Sequence, residues 1–208
     1  MKRIIKYVLL LLAIALVGYK SVYFKKLSTM GVGGIEKFDA VAFTNKLWNE
    51  KLPAKLDSAV GLPVLTAEIQ RDPEKAFQQY SHAMAIGNYR YSLVNFTGRV
   101  DSVLEDEIIL EQYPDDTLVF VHLDTEFIYG NAIRDASNLV DIRDFTNNTD
   151  LNNISEAFNK KVRTEVLPPF KSRVKVGDMV DVTGAIKFNK AHVDLRTLEL
   201  LPVRLKIK

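Results

Sequence analysis

No cysteine occurs among the 208 residues. That absence excludes a disulfide frame, a thiolate nucleophile and a cysteine-based zinc site. It does not fix the compartment, because an exported chain can do without disulfides. Histidine is scarce as well, and His82, His122 and His192 lie far apart. There is no Gly-x-Ser-x-Gly elbow, no P-loop and no His-Glu-x-x-His pair. Catalysis needs converging groups, and none converge visibly in the sequence. The expectation is therefore a protein that is not an enzyme, with no catalytic residue, no metal and no cofactor.

Acid is absent from residues 1–26, which hold six cations: Lys2, Arg3, Lys6, Lys20, Lys25 and Lys26. The remainder carries 22 basic and 26 acidic residues, a net charge of −4, against +2 for the whole chain. The basic character belongs to the N-terminal end. An acidic body is a poor electrostatic match for a polyphosphate, so nucleic acid is not an expected partner.

Between Tyr7 and Tyr19 no charge occurs, and basic residues flank the run. Thirteen residues are short for a spanning helix and suit a signal-peptide core. Cleavage signals are weak, however, with only Ala13 and Ala15 at the needed spacing. Lys6 and Lys20 can snorkel, and Ile4, Ile5, Val22, Tyr23 and Phe24 lengthen the apolar stretch. Residues 1–26 are read as an uncleaved membrane anchor, with a cleaved signal as the alternative. The short N-tail stays most easily in the cytoplasm. The expected location is thus the inner membrane, single-pass, with the body facing the periplasm.

Residues 27–88 read as a helical layer. Gly31, Gly33 and Gly34 form a joint; without a preceding strand or a Lys-Ser/Thr they are a linker rather than a phosphate cradle. Phe38, Val41, Ala42, Trp48 and Leu52 fall on one helical face, and Pro53 ends or bends that helix. Pro63 opens another helix. Asp72 and Pro73 form a start signal for a further one, with Ala76, Phe77, Tyr80 and Met84 as its buried stripe and Gly87-Asn88 as its end.

Over residues 89–208 the apolar period changes to two. Val94, Phe96, Gly98 and Val100 alternate along a long first strand, with Gly98 allowing a bend. Strands follow at Glu107–Glu111 and Leu118–Leu123, joined by a turn at Pro114-Asp115-Asp116. A helix starts near Thr149 or Asp150, buries Leu151, Ile154, Phe158 and Val162, and stops at Pro168-Pro169. Val176–Ile186 and Val193–Leu200 complete the set, the latter placing His192 and Asp194 on one face. The fold class is therefore α+β: an N-terminal helical layer, then an OB-fold-like five-stranded antiparallel barrel with a helix between strands 3 and 4.

The most distinctive stretch runs from Tyr129 to Ala136. Asn131 is placed to cap a short helix presenting Arg134 and Asp135. Tyr129, Asn131, Arg134, Asp135 and the later Asn147 are the candidate ligand- or partner-binding residues. An arginine beside acids and amides can hold a carboxylate or a sugar. The competing reading is internal, with Arg134 paired to a nearby acid and fixing a long loop. Tyr89, Tyr91 and Tyr129 could stack on a sugar.

Tyr129–Ala136, Phe145–Asn147, Val176–Asp178 and Phe38–Phe43 together resemble the DUF2291 family of periplasmic lipoproteins. The resemblance spans nearly the whole chain. It implies an extracytoplasmic location and a role linked to a sugar ABC transporter, and it implies no catalytic residue. One departure is plain: a lipoprotein needs a cysteine after its signal, and this sequence has none. The apolar N-terminus would then do the anchoring. The expected function is a membrane-anchored accessory or interaction protein, engaging an ABC-transporter component or another envelope protein. The alternative is a small-ligand-binding protein for a sugar or nucleoside.

Overall fold

The computed structural model of the chain describes residues 6–7, 38–84, 86–113 and 118–208. The apolar run expected to anchor the chain lies, apart from Tyr7, outside these residues, as do the glycine joint and the Pro114-Asp115-Asp116 turn. Among the described residues no helix is long and apolar enough to cross a membrane. The chain forms two compact units, residues 1–38 and residues 39–208. The second holds the whole of the sheet and the helices packed on it.

Its first helix, α1 (Ala40–Lys46), begins at Asp39, whose carboxylate accepts from the Val41 and Ala42 amides at 3.0 and 2.9 Å. It continues through a π-helical turn (Leu47–Lys51) into α2 (Leu52–Asp57). Pro53 therefore does not end the helix. It falls in the first turn of α2, and the wider π turn ahead of it absorbs the missing amide. The π turn also rotates the buried face, which comprises Ala40, Thr44, Leu47 and Leu52, while Val41 and Ala42 face solvent. The expected 3.6-residue stripe is corrected accordingly.

Next come a two-residue strand, β1 (Val60–Gly61), and helices α3 (Leu62–Arg71) and α4 (Pro73–Tyr80). Both helices start as the sequence signals: Pro63 lies in the first turn of α3, and Asp72 accepts from the Lys75 amide at 3.1 Å. Helix α4 stops at Tyr80, short of Met84. There the Ser81 hydroxyl donates to the Phe77 carbonyl, and His82 exchanges backbone hydrogen bonds with Tyr91. Bridging to the sheet takes over the backbone groups that further helix would have used.

Five longer strands follow: β2 (Tyr89–Val103), β3 (Glu107–Gln112), β4 (Val119–Asp124), β5 (Met179–Asn189) and β6 (Thr197–Ile207). Between β4 and β5 lie α5 (Ala132–Ser137) and a long helix, α6 (Asn148–Lys161). A second π-helical turn (Val162–Val166) carries α6 into α7 (Leu167–Lys171). Pro168 again begins a helical segment rather than stopping one. Leu151, Ile154, Phe158 and Val162 are buried as the periodicity requires.

The sheet has six strands, counting the short β1 in parallel with β2. Antiparallel pairs join β2 to β3, β3 to β4, β6 to β5 and β5 back to β2. The pairings thus return on themselves through five strands. Two corrections follow. The sheet is not wholly antiparallel, because β4 and β6 pair in parallel from Phe120↔Thr197 to Leu123↔Leu200. The last strand also begins at Thr197, so His192 and Asp194 sit in the preceding turn and share no strand face. Asn189 accepts from the Ala191 and His192 amides there, and Asp194 accepts from Arg196.

The interior of this ring is apolar. Val94, Phe96, Val100, Ile108, Leu110, Val121, Leu123, Val180, Val182 and Leu200 all enter one buried cluster, covered at one side by Leu62, Leu65, Ile69 and Phe77 of α3 and α4. Gly184 sits where the β5–β6 register slips. A Cβ there would lie 2.4 Å from Leu200 Cδ2 and 2.5 Å from the Leu201 carbonyl oxygen. The carbonyl is backbone and has little room to yield. Gly184→Ala is expected to destabilise the fold by about 2 kcal/mol or more, the usual order for overpacking a core. Urea unfolding monitored by circular dichroism will read it, and an unchanged midpoint would contradict the close approach.

Candidate functional site

The segment joining β4 to α6 packs its own polar groups before it presents any. Arg134 Nε donates to Asp135 Oδ1 at 2.7 Å, and the two charged groups form a buried ion pair with side-chain exposures of 8% and 1%. Arg134 Nη1 also reaches the Leu151 carbonyl of α6 at 3.1 Å. Asp135 Oδ2 accepts from Asn131 Nδ2 at 2.6 Å, and Asn131 Oδ1 accepts from the Tyr91 hydroxyl of β2 at 3.1 Å. Burial raises the Tyr91 pKa above its usual value, which keeps the hydroxyl protonated as the donor. A continuous polar chain therefore ties the sheet, α5 and α6 together. The internal reading of Arg134 describes this geometry.

Asn131 holds the N-cap position of α5, but its side chain makes no capping bond; it is spent on Asp135 and Tyr91. Asn147 stands apart from the others. It caps α6, accepting from the Asp150 amide at 2.9 Å and donating to Asp150 Oδ2 at 2.8 Å. Sequence reasoning set the start of α6 at Thr149 or Asp150, two to three residues beyond this cap.

A cleft of about 340 Å³ opens on the sheet side of this segment. Its walls are Tyr91, Asn131 and Lys187 together with Phe127, Tyr129, Asp124 and Glu199. Tyr129 and Phe127 are 69% and 59% exposed. Lys187 Nζ sits 4.1 Å from the centre of the Tyr89 ring, which draws Tyr89 to the cleft's margin. A second cleft, of about 350 Å³, lies on the α6 side and shares Gly130 and Asn131 with the first. Of the five candidate residues, Tyr129 and Asn131 line the first cleft, Asn131 and Arg134 line the second, and Asp135 braces both from beneath.

Sequence reasoning missed Asp124, Phe127, Lys187 and Glu199. Asp124 was open to detection: Val119, Val121 and Leu123 alternate inward, so Phe120, His122 and Asp124 point outward. Glu199 was not, because it nears them only through the parallel β4–β6 pairing, in which it partners His122. Around this spot Glu107 pairs with Asp124 in register, and His122 Nδ1 lies 2.8 Å from Glu107 Oε2. Among the described residues no group of three or more acids and histidines is placed to hold a metal ion.

The family described as a predicted periplasmic lipoprotein, DUF2291, matches residues 12–206. The chain belongs to the DUF2291 family. No curated protein matches the sequence. Among solved structures it is similar to an OB-fold protein from Thermotoga maritima MSB8, at 23% identity and a TM-score of 0.73, over 83% of this chain and all of that one. That likeness shows the fold alone, and it places this DUF2291 member among OB-fold proteins. The member differs from the family's lipoprotein description in having no cysteine to carry a lipid.

The electrostatics of the first cleft centre on Asp124. Burial pushes its carboxyl up to about 6, and the neighbouring carboxylates Glu199 and Glu107 push the same way. The folded state therefore holds this proton more tightly than the unfolded chain does. Stability is greatest below pH 4 on this account and falls as pH rises from about 4 through about 6. Asp124→Asn is expected to remove that slope. It should make the protein more stable at pH 7.5 by roughly 1 kcal/mol, a figure reduced for partial solvent screening. Chemical unfolding of both proteins between pH 4.5 and 8 checks this; parallel pH profiles would contradict it.

Proposed function

We propose that this protein is a non-enzymatic binding protein of the cell envelope whose first cleft takes a small hydroxylated ligand, a sugar or a nucleoside. The observation that carries this reading is the pair Phe127 and Tyr129, exposed at the mouth of a cleft whose volume suits a small molecule. Large aromatic faces left in water beside a concave polar wall are the informative exception to burial. A sugar ring or a base has an apolar face to lay on them. Asp124, Glu199 and Lys187 then supply acceptors and donors at the edges. The two carboxylates also argue against a nucleic-acid backbone, as does the acidic body.

Thermal-shift screening of the full chain in detergent, across monosaccharides, disaccharides and nucleosides, is the direct test. A stabilising compound should exist, and Tyr129→Ala should weaken its binding about tenfold through lost ring contact while leaving the fold intact. No stabilisation across the panel would count decisively against the reading.

A ligand-binding OB module in the envelope fits an accessory role beside a sugar ABC transporter, with a transporter component or another envelope protein as its partner. We further propose that residues 1–26 anchor the chain in the inner membrane by a single pass, with the body in the periplasm. The apolar run with basic flanks supports this. Protease added to intact spheroplasts should then degrade the body, and carbonate washing should leave the protein in the membrane fraction. Protection from protease, or release by carbonate, would refute the topology.

A further inference from the structure

Asn159 of α6 is 2% exposed and lies in the wall of the second cleft. Its Nδ2 donates to the Gly130 carbonyl at 2.8 Å, which fixes the orientation of the amide. Among the described residues its Oδ1 is left buried without any hydrogen-bond partner. A buried acceptor left unmatched carries a desolvation cost that a donor would relieve. The other walls offer further polar groups. Ser155 donates its hydroxyl to the Leu151 carbonyl at 3.2 Å, leaving its lone pairs to accept. Asn152 stands exposed at the rim, as does Glu156.

Charge in this cleft is already balanced. Arg134 is neutralised by Asp135, and Glu156 is paired with Arg163. Arg163 is itself held by the Ile128 carbonyl. An ionic ligand would have to compete with those pairs. A neutral ligand bringing O–H or N–H donors would not.

We infer that the second cleft, between α5 and α6, is a separate binding site for a neutral, hydroxyl-bearing small molecule, with Asn159 Oδ1 as its innermost acceptor. The exposed side chains Asn152 and Glu156 stand at the rim and offer the ligand further polar groups. Gly130 belongs to both clefts, so a molecule bound to Asn159 also bears on the segment that walls the first site.

The test is nuclear magnetic resonance on the full chain in detergent micelles, titrated with glucose, ribose, glycerol and uridine. The inference expects saturable shifts of the Asn159 side-chain amide and of the Asn152 and Ser155 backbone amides with at least one probe. It also expects the double variant N152A/E156A, altered only at exposed positions, to weaken that binding about fivefold or more. Shifts confined to Phe127 and Tyr129 would overturn this second site while leaving the first cleft's reading intact. Silence at both clefts would overturn both. Saturable shifts at α6 that N152A/E156A leaves unchanged in affinity would overturn the role of the rim and with it the site.

Discussion

Two opposite charges are held out of water at Arg134 and Asp135, and much of the second half of the chain is arranged around that burden. Removing a charge from water costs several kcal/mol or more per ion unless its partners are well placed. The partners here come from two places. Asn131 meets Asp135 from the preceding turn, and Leu151 offers a carbonyl from α6. Satisfying the pair therefore brings α5 against α6. Because Asn131 also meets Tyr91, it brings both against the sheet. Both clefts are consequences: they are the spaces left on either side of a segment that cannot move far without stranding a charge.

The sheet supplies the rigid surface against which this happens. Strand β2 is long because it serves three neighbours in turn, β1 near its middle, β5 along most of its length, and β3 at its far end. A register slip at Val100/Ser102 lets it turn from one to the other. The ring gives each of the five longer strands a neighbour on both sides over at least part of its length, which is one way a sheet limits pairing with other chains. It also creates the parallel β4–β6 contact, which brings Glu199 beside His122 and Asp124.

Local rules carried far in this sequence. Period-two alternation located β3 within a residue and the middle of β2, Asp72-Pro73 located the start of α4, and the Leu151–Val162 stripe located α6. The errors share a cause. Pro168 read as a stop and Pro53 as a stop or a bend, yet each falls at the start of a helical piece behind a π-helical turn, a compensation that leaves no mark in the apolar pattern. Val193–Leu200 alternates well enough to pass for a strand, but pairing with β4 and β5 selects Thr197–Ile207 instead. In the site, Tyr129 and Asn131 were legible because turn chemistry and an exposed aromatic are local signals. Lys187 and Glu199 were not, since each reaches the cleft from a strand distant in sequence, and only the ring's closure sets them there.

The same distinction bears on what the site can recognise. The ring itself is filled with apolar side chains, and both clefts described above are walled by the insertion between β4 and β5, the first also by the strand faces it overhangs. Fold likeness to another OB-fold protein therefore says little about ligand, because that insertion can vary while the ring stays the same. The polar groups of this insertion are largely committed to one another, and its charges are internally balanced. Among the described residues, the uncommitted groups of this insertion include ring surface at Phe127 and Tyr129 and a buried amide acceptor at Asn159. On the proposed reading, apolar faces and a neutral acceptor would suit molecules with an apolar plane and hydroxyl or amide donors.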